Sequence, residues 1–385
     1  MKNILFFIFL HISISSLAQE KMNFIEAKLH VGKVINNYLK FDSFPKTKPL
    51  AIVEFSMGKQ TTGTKNWQQY YGFPIVGVSM MGGYLGNNSQ FGLMLGTYPY
   101  VTLNTINKNK WSAKLKLGLG MGYFNRPFDS LSNPYNILIG SHFTALGVAN
   151  LHFQRSLTEN LKFEFGVSVF HASNGHTGLP NVGLNTVNIN SGFKYYIDKQ
   201  SESFNKNSEP IDKKVSQKLQ LGIGTHKFGN ELGPVNGSSY NVYDAAYYIG
   251  KPIGKLGTGM IGIAYKYYNS YYNKIKEGNI YEDGWHLKSS VLTLLLAYEF
   301  EMGQMSLIAQ GGISVYHPFW KEFVRLIGSN LTLFKKIEGI IPTRLGLQYY
   351  LFDKEKFNNN AYIGLYINAN FGGADFVSVS TGFKF

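Results

Sequence analysis

Cysteine is absent from the 385-residue chain, which excludes disulfides, thiolate nucleophiles and cysteine-ligated metals. Charged side chains make up only 16% of it, where a soluble domain carries about 25%. Beyond the first residues there is no apolar run of about 18, so no helix is long enough to cross a membrane. A Gly-rich phosphate loop ahead of a helix, a His-Glu-x-x-His pair and an acidic calcium loop are also missing. No metal or cofactor is implied.

What the chain has in quantity is glycine (42), tyrosine (26) and phenylalanine (29). A transmembrane β-barrel hides polar atoms inside and turns apolar and aromatic ones toward lipid, which yields such a profile. Met1-Lys2-Asn3, the apolar Ile4 to Leu10 and the small residues ending at Ala18 read as an export signal. Residues 1–18 are therefore set aside as a signal peptide. The net charge of +14 suits a surface that meets phosphate-bearing lipid. A nucleic-acid partner, the other common reading of such charge, does not fit an exported chain.

Period-2 patterning predicts strands near 24–36, 50–58, 72–85, 91–104, 111–123, 141–154, 161–173 and 185–197. In the clearest, Trp111, Leu115, Leu117, Leu119 and Tyr123 share one face and Lys114, Lys116, Gly118 and Gly120 the other. Eight strands make the smallest common outer-membrane barrel, its interior filled by side chains. Residues 198–215 are polar and aperiodic, a linker, and the strand rhythm then resumes to Phe385.

The halves look duplicated. Val187–Tyr195 matches Val377–Phe385 in character, Ile139–Thr144 matches Ile327–Thr332, and Gly122–Phe128 echoes Ser314–Phe319. The expected fold is thus all-β, antiparallel and transmembrane. An eight-stranded barrel over 19–197 precedes a degenerate second barrel over 216–385, or all of about sixteen strands form one wide barrel. The final strand ends on an aromatic, as outer-membrane barrels do.

Chemistry concentrates on the strand at 161–173. Phe163, Phe165, Val167 and Val169 share a face with His171 and Ser173, while Lys162, Glu164 and Ser168 face the lumen. Alternation thus places a hydroxyl and an imidazole side by side on the lipid-facing wall. There they cost free energy unless they have a task. Ten residues of rise, about 33 Å along the strand, carry them from the periplasmic end to the level of the outer-leaflet interface. A histidine two residues from a serine can serve as its base. Asn185, on the returning strand with the same parity, is set to orient the imidazole. His176 reads as a solvated loop residue or phosphate contact, and His142 as lining the barrel.

The run His171-Ala-Ser173-Asn174, then Pro180-Asn181-Val-Gly183, then Asn185, resembles the active-site signature of the PagL-type lipid A 3-O-deacylases. The similarity spans residues 20–200. It implies an eight-stranded outer-membrane barrel in which Ser173 is the nucleophile and His171 the base, with Asn181, and Asn174 beside it, as oxyanion donors. The family's acid is replaced by Asn185, whose carbonyl can accept from the imidazole but brings no charge. The substrate implied is lipid A, or lipopolysaccharide, within outer-membrane lipid. Rival readings are a phospholipase or acyltransferase using the same pair, and a non-catalytic channel or structural barrel. Aligning Gly166 with Gly364 sets Ala369 and Phe371 where His171 and Ser173 stand. The second half is then catalytically silent, which leaves it the role of a built-in dimer partner of the first.

Overall fold

The computed structural model describes residues 23–36, 44–108, 111–197, 204, 214–235, 237–371 and 373–385. The expected signal peptide lies outside the described residues, as does nearly all of the linker. Sixteen antiparallel strands close into two separate barrels of eight, so the single wide barrel is excluded.

In the first barrel the strands are β1 (Phe24–Ile35), β2 (Leu50–Gln60), β3 (Ile75–Tyr84), β4 (Leu93–Lys108), β5 (Trp111–Phe124), β6 (Phe143–Ser156), β7 (Leu161–Ser173) and β8 (Leu184–Tyr196). A short helix, α1 (Asn66–Tyr70), interrupts the β2–β3 connection. Each strand pairs with its neighbour in sequence, and β8 closes on β1 through Phe24↔Tyr196 to Ile35↔Asn185. Ile25, Phe55, Met80, Leu95, Val167 and Ile189 are exposed on the outer wall, which only a hydrocarbon environment makes favourable.

The inward residues form a closed ionic network. Lys28 lies 3.0 Å from Glu26 and 2.6 Å from Glu164. Lys194 reaches the same two carboxylates at 2.9 and 2.7 Å. Lys116 pairs with Glu54, which also bonds His30 at 2.8 Å and Tyr98 at 2.7 Å. Opposed charges at this density offset the large cost of burying them. Gly118 and Gly120 make room for it. A Cβ on Gly118 would stand 2.2 Å from the Tyr98 ring, and one on Gly120 2.6 Å from Tyr98 Cα. The lumen is therefore a packed core.

The second barrel comprises β9 (Ser216–Lys227), β10 (Ser239–Ile253), β11 (Gly257–Tyr268), β12 (Ser290–Met302), β13 (Met305–Tyr316), β14 (Pro342–Tyr350), β15 (Asn360–Asn370) and β16 (Gly373–Lys384). It closes through β16 on β9. Its interior is also filled. Glu299 accepts from Lys218 and Tyr350 at 2.8 Å each, and Arg344 lies 3.2 Å from Asp244 and 3.8 Å over the Tyr366 ring.

Here the structure departs from the expected unbroken strand rhythm. Four helices stand in the connections: α2 (Asn269–Glu277), α3 (Trp285–Lys288), α4 (Trp320–Leu326) and α5 (Leu333–Ile340). They fold an aromatic cap over one end, where Tyr268, Tyr271, Phe319, Trp320 and Phe323 are buried together. Thr332 caps α5 by accepting from Lys335 N–H at 3.3 Å. The repeat match at Ile327–Thr332 consequently falls in a helical connection, whereas Phe143 and Thr144 already belong to β6. The other two matches occupy equivalent places, at the ends of β5 and β13 and along β8 and β16.

Candidate active site on the first barrel

Register sets the site. His171 on β7 stands directly opposite Asn185 on β8, and Ala145 and Gly147 of β6 oppose Ser173 and His171. The imidazole is exposed on the outer wall, and Asn185 is half-buried beside it. His171 Nδ1 lies 2.7 Å from Asn185 Oδ1. An amide oxygen only accepts, so Nδ1 carries the proton and Nε2 keeps its lone pair.

Ser173 departs from the expectation of an open wall. It has the predicted parity, but only 8% of it is exposed, with Asn181 of the β7–β8 connection against it. Asn181 donates its amide to Ser173 Oγ at 2.8 Å. Asn181 is oriented in turn by Asn174, whose backbone N–H donates to its Oδ1 at 3.3 Å. The Asn174 side chain is directed elsewhere, to Ser141 Oγ at 3.2 Å.

Long-range pairing holds this connection down. Val182 and Gly183 N–H groups donate to the carbonyls of Ile137 and Leu138, each at 3.0 Å. Gly183 adopts φ +86°, and a Cβ there would stand 3.0 Å from His171 Cε1. Only glycine accepts both constraints at ordinary cost. Ser141, Ile137 and Leu138 were invisible as site residues in the sequence, since their part depends on contacts across about forty positions.

Two histidines differ from expectation. His176 is buried, not solvated, and consecutive positive φ values at Gly175 (62°) and His176 (72°) turn the chain there. His142 does not line the barrel. It is exposed at the rim, stacked on Tyr123 at 5.7 Å, with Nδ1 2.8 Å from the Phe124 carbonyl.

Aromatic side chains bracket the site's depth. Tyr123 and Phe143 are exposed at one end of the wall, and Trp111, Phe153, Phe165 and Tyr195 at the other. Ser173 pairs with Ala145, two residues inside Phe143, so the hydroxyl lies about 7 Å along the strand from that upper girdle, or about 5 Å below it after tilt.

In the second barrel Ala369 and Phe371 fall at the end of β15 and in the turn after it, with no hydroxyl or imidazole at either place. A different set, unforeseen from sequence, occurs there. His226 Nδ1 is 2.8 Å from Ser270 Oγ, and its Nε2 is 3.6 Å from Asp375. Tyr268 also donates to Asp375, at 2.7 Å. Ser270 is fully buried beneath the aromatic cap, so this set acts as a polar tie within the cap.

Residues 52–194 match the model of the lipid A 3-O-deacylase (PagL) family, so the family resemblance holds over that segment of the first barrel. No curated protein matches the chain. Among solved structures, Neisserial surface protein A is 9% identical, with a TM-score of 0.33, over 46% of this chain and 100% of its own. The outer membrane enzyme PagL is 15% identical, with a TM-score of 0.30, over 45% of this chain and 99% of its own. The Acinetobacter baumannii protein OccAB1 is 8% identical, with a TM-score of 0.24, over 94% and 95% respectively.

Proposed function

We propose that this is an outer-membrane carboxylic ester hydrolase that removes the 3-position acyl chain from lipid A or a related glycolipid. The observation that carries the reading is the hydrogen-bonded His171–Asn185 pair on the outer wall, with Ser173 two residues on and held by Asn181. The family match over residues 52–194 supports the substrate class.

The chemistry follows from the donors present. Ser173 Oγ attacks the ester carbonyl while His171 Nε2 takes its proton. The carbonyl oxygen becomes an oxyanion, and the Asn181 amide, already 2.8 Å from Oγ, is placed to donate to it. Collapse breaks the ester bond, and the imidazolium returns the proton to the departing sugar hydroxyl. Water then attacks the acyl-serine by the same route and releases the fatty acid. Asn185 keeps the imidazole in the Nδ1–H tautomer throughout, and the Asn174 backbone keeps the Asn181 amide turned toward the serine. The hydroxyl's depth, just inside the upper aromatic girdle, matches a membrane-embedded ester.

The test is mass spectrometry of lipid A from cells expressing the wild type or Ser173→Ala. Loss of one hydroxyacyl chain with the wild type alone is expected. Identical spectra from two folded proteins would end the deacylase reading. Product analysis separates the rivals: free fatty acid marks hydrolysis, and a chain moved to another lipid marks acyl transfer. The ion-paired lumen of Glu26, Lys28, Glu164 and Lys194 argues against a channel. In this reading the second barrel is a non-catalytic companion of the first.

A further inference from the structure

A pocket of about 490 Å³ opens at the rim of the second barrel, outside the site described above. It is built by Tyr240 and Asn241 of β10, Tyr267 of β11, and Asn269, Tyr272 and Asn273 of α2. Its size is that of a small-ligand site. His286 of α3 braces the wall: its Nδ1 is 2.9 Å from Tyr267 Oη, and its ring stacks on Tyr272 at 4.7 Å.

The lining chemistry is selective. Its side chains are amides, phenols, the Ser239 hydroxyl and one imidazole, with no carboxylate, lysine or arginine among them. Among the described residues this lining carries no fixed charge of its own, and the adjacent Lys276 is held over the rings of Tyr272 and Trp285 at 5.5 and 5.0 Å. Each asparagine offers a donor pair and an acceptor at fixed spacing, which suits neighbouring hydroxyls on one ring. Tyrosine adds an apolar face with a polar tip. Amides beside phenols match a molecule with hydroxyl edges and C–H faces, which is a sugar ring.

Position supplies the second argument. Tyr243 and Tyr265 are exposed on the outer wall of β10 and β11, as interfacial aromatics are. Asn241 and Tyr267 share their parity and lie two residues nearer the rim, about 5 Å beyond that level after strand tilt. The pocket thus opens into the layer that the head groups of outer-leaflet glycolipids occupy.

We infer that this pocket binds an uncharged sugar ring of a glycan. It rests on the glycolipid reading of the first barrel only for the source of that glycan, lipid-linked or free. The experiment uses the full chain carrying Ser173→Ala in detergent micelles. The probes are O- and N-deacylated lipopolysaccharide oligosaccharide, intact lipopolysaccharide in nanodiscs, and inorganic phosphate as competitor. Asn241→Ala and Asn273→Ala are compared with the parent by titration calorimetry, with heat-modifiable mobility as the folding control. Saturable binding of the oligosaccharide, weakened about tenfold or more by either variant, supports the site and a free glycan as sufficient ligand. Binding of the nanodisc lipid alone, equally weakened, supports it with a lipid-linked source. Binding by neither probe, binding unaffected by both variants, or competition by phosphate overturns it. Hydrolysis of a short-chain nitrophenyl ester by the wild type, lost in Ser173→Ala, tests the esterase separately, so the two readings fail independently.

Discussion

Asn185→Asp is the most direct probe of how the proposed site works. In the transition state the imidazole becomes an imidazolium whose Nδ1 lies 2.7 Å from the Asn185 oxygen. A neutral carbonyl meets that charge only with its dipole, whereas a carboxylate meets it with a full charge. Taking about 4 Å between the charge centres and an effective dielectric of about 20, the attraction is about 4 kcal/mol. The imidazole is exposed and Asn185 only half-buried, so solvent screening reduces this to about 2 kcal/mol. That corresponds to roughly a 30-fold rise in kcat. The amide and carboxylate have the same shape, so KM should barely move. The assay is steady-state hydrolysis of a short-chain nitrophenyl ester in detergent, repeated on purified lipid A. An unchanged or lowered kcat in a folded Asn185→Asp protein would refute the idea that the imidazole becomes charged against this partner.

Gly183→Ala forces a Cβ to 3.0 Å from His171 Cε1 at φ +86°. Turnover should fall at least tenfold, with a lowered melting temperature from the strained backbone, and wild-type turnover would contradict this. Glu164→Gln leaves Lys28 and Lys194 sharing Glu26 alone. A loss of about 3 kcal/mol is expected, read as a lower unfolding midpoint on heat-modifiability gels, and an unchanged midpoint counts against the ionic core. In the cap of the second barrel, burial holds the His317 pKa down at about 4 from its ordinary 6.5. The unfolded cap takes up a proton first, so its stability is complete above pH 6.5 and declines as pH falls toward 4. After discounting for the ring's partly exposed edge, the loss is about 2 kcal/mol. Hydrogen-exchange protection factors over residues 317–341, corrected for the intrinsic pH dependence of exchange, should fall as pH drops across that window, and a flat profile would count against it.

Most strands of the first barrel could be read within two or three residues, because alternation is a local property. β7 begins and ends where the pattern placed it. β3 starts later than predicted, at Ile75, since Gly72 and Phe73 both take positive φ (68° and 56°) and make a turn. The pairing of His171 with Asn185 was legible for the same reason: parity and register are short-range. The cover over Ser173 was not, because it depends on Val182 and Gly183 meeting Ile137 and Leu138. The helices of the second barrel were missed because they are four to nine residues long. Over such lengths a 3.6-residue period barely separates from alternation, and in Tyr-Tyr-Asn-Lys at 271–274 neither period stands out.

β8 completes the first barrel at Tyr196 by returning to Phe24, deep in the interior of the chain. The cellular machinery that inserts such proteins must therefore seal one cylinder around a strand with no free tail to grasp. The second cylinder closes at a different seam, where β16 meets β9. The two seams face different kinetic problems, and pulse-chase trapping of half-inserted protein should find them zipped at separate moments.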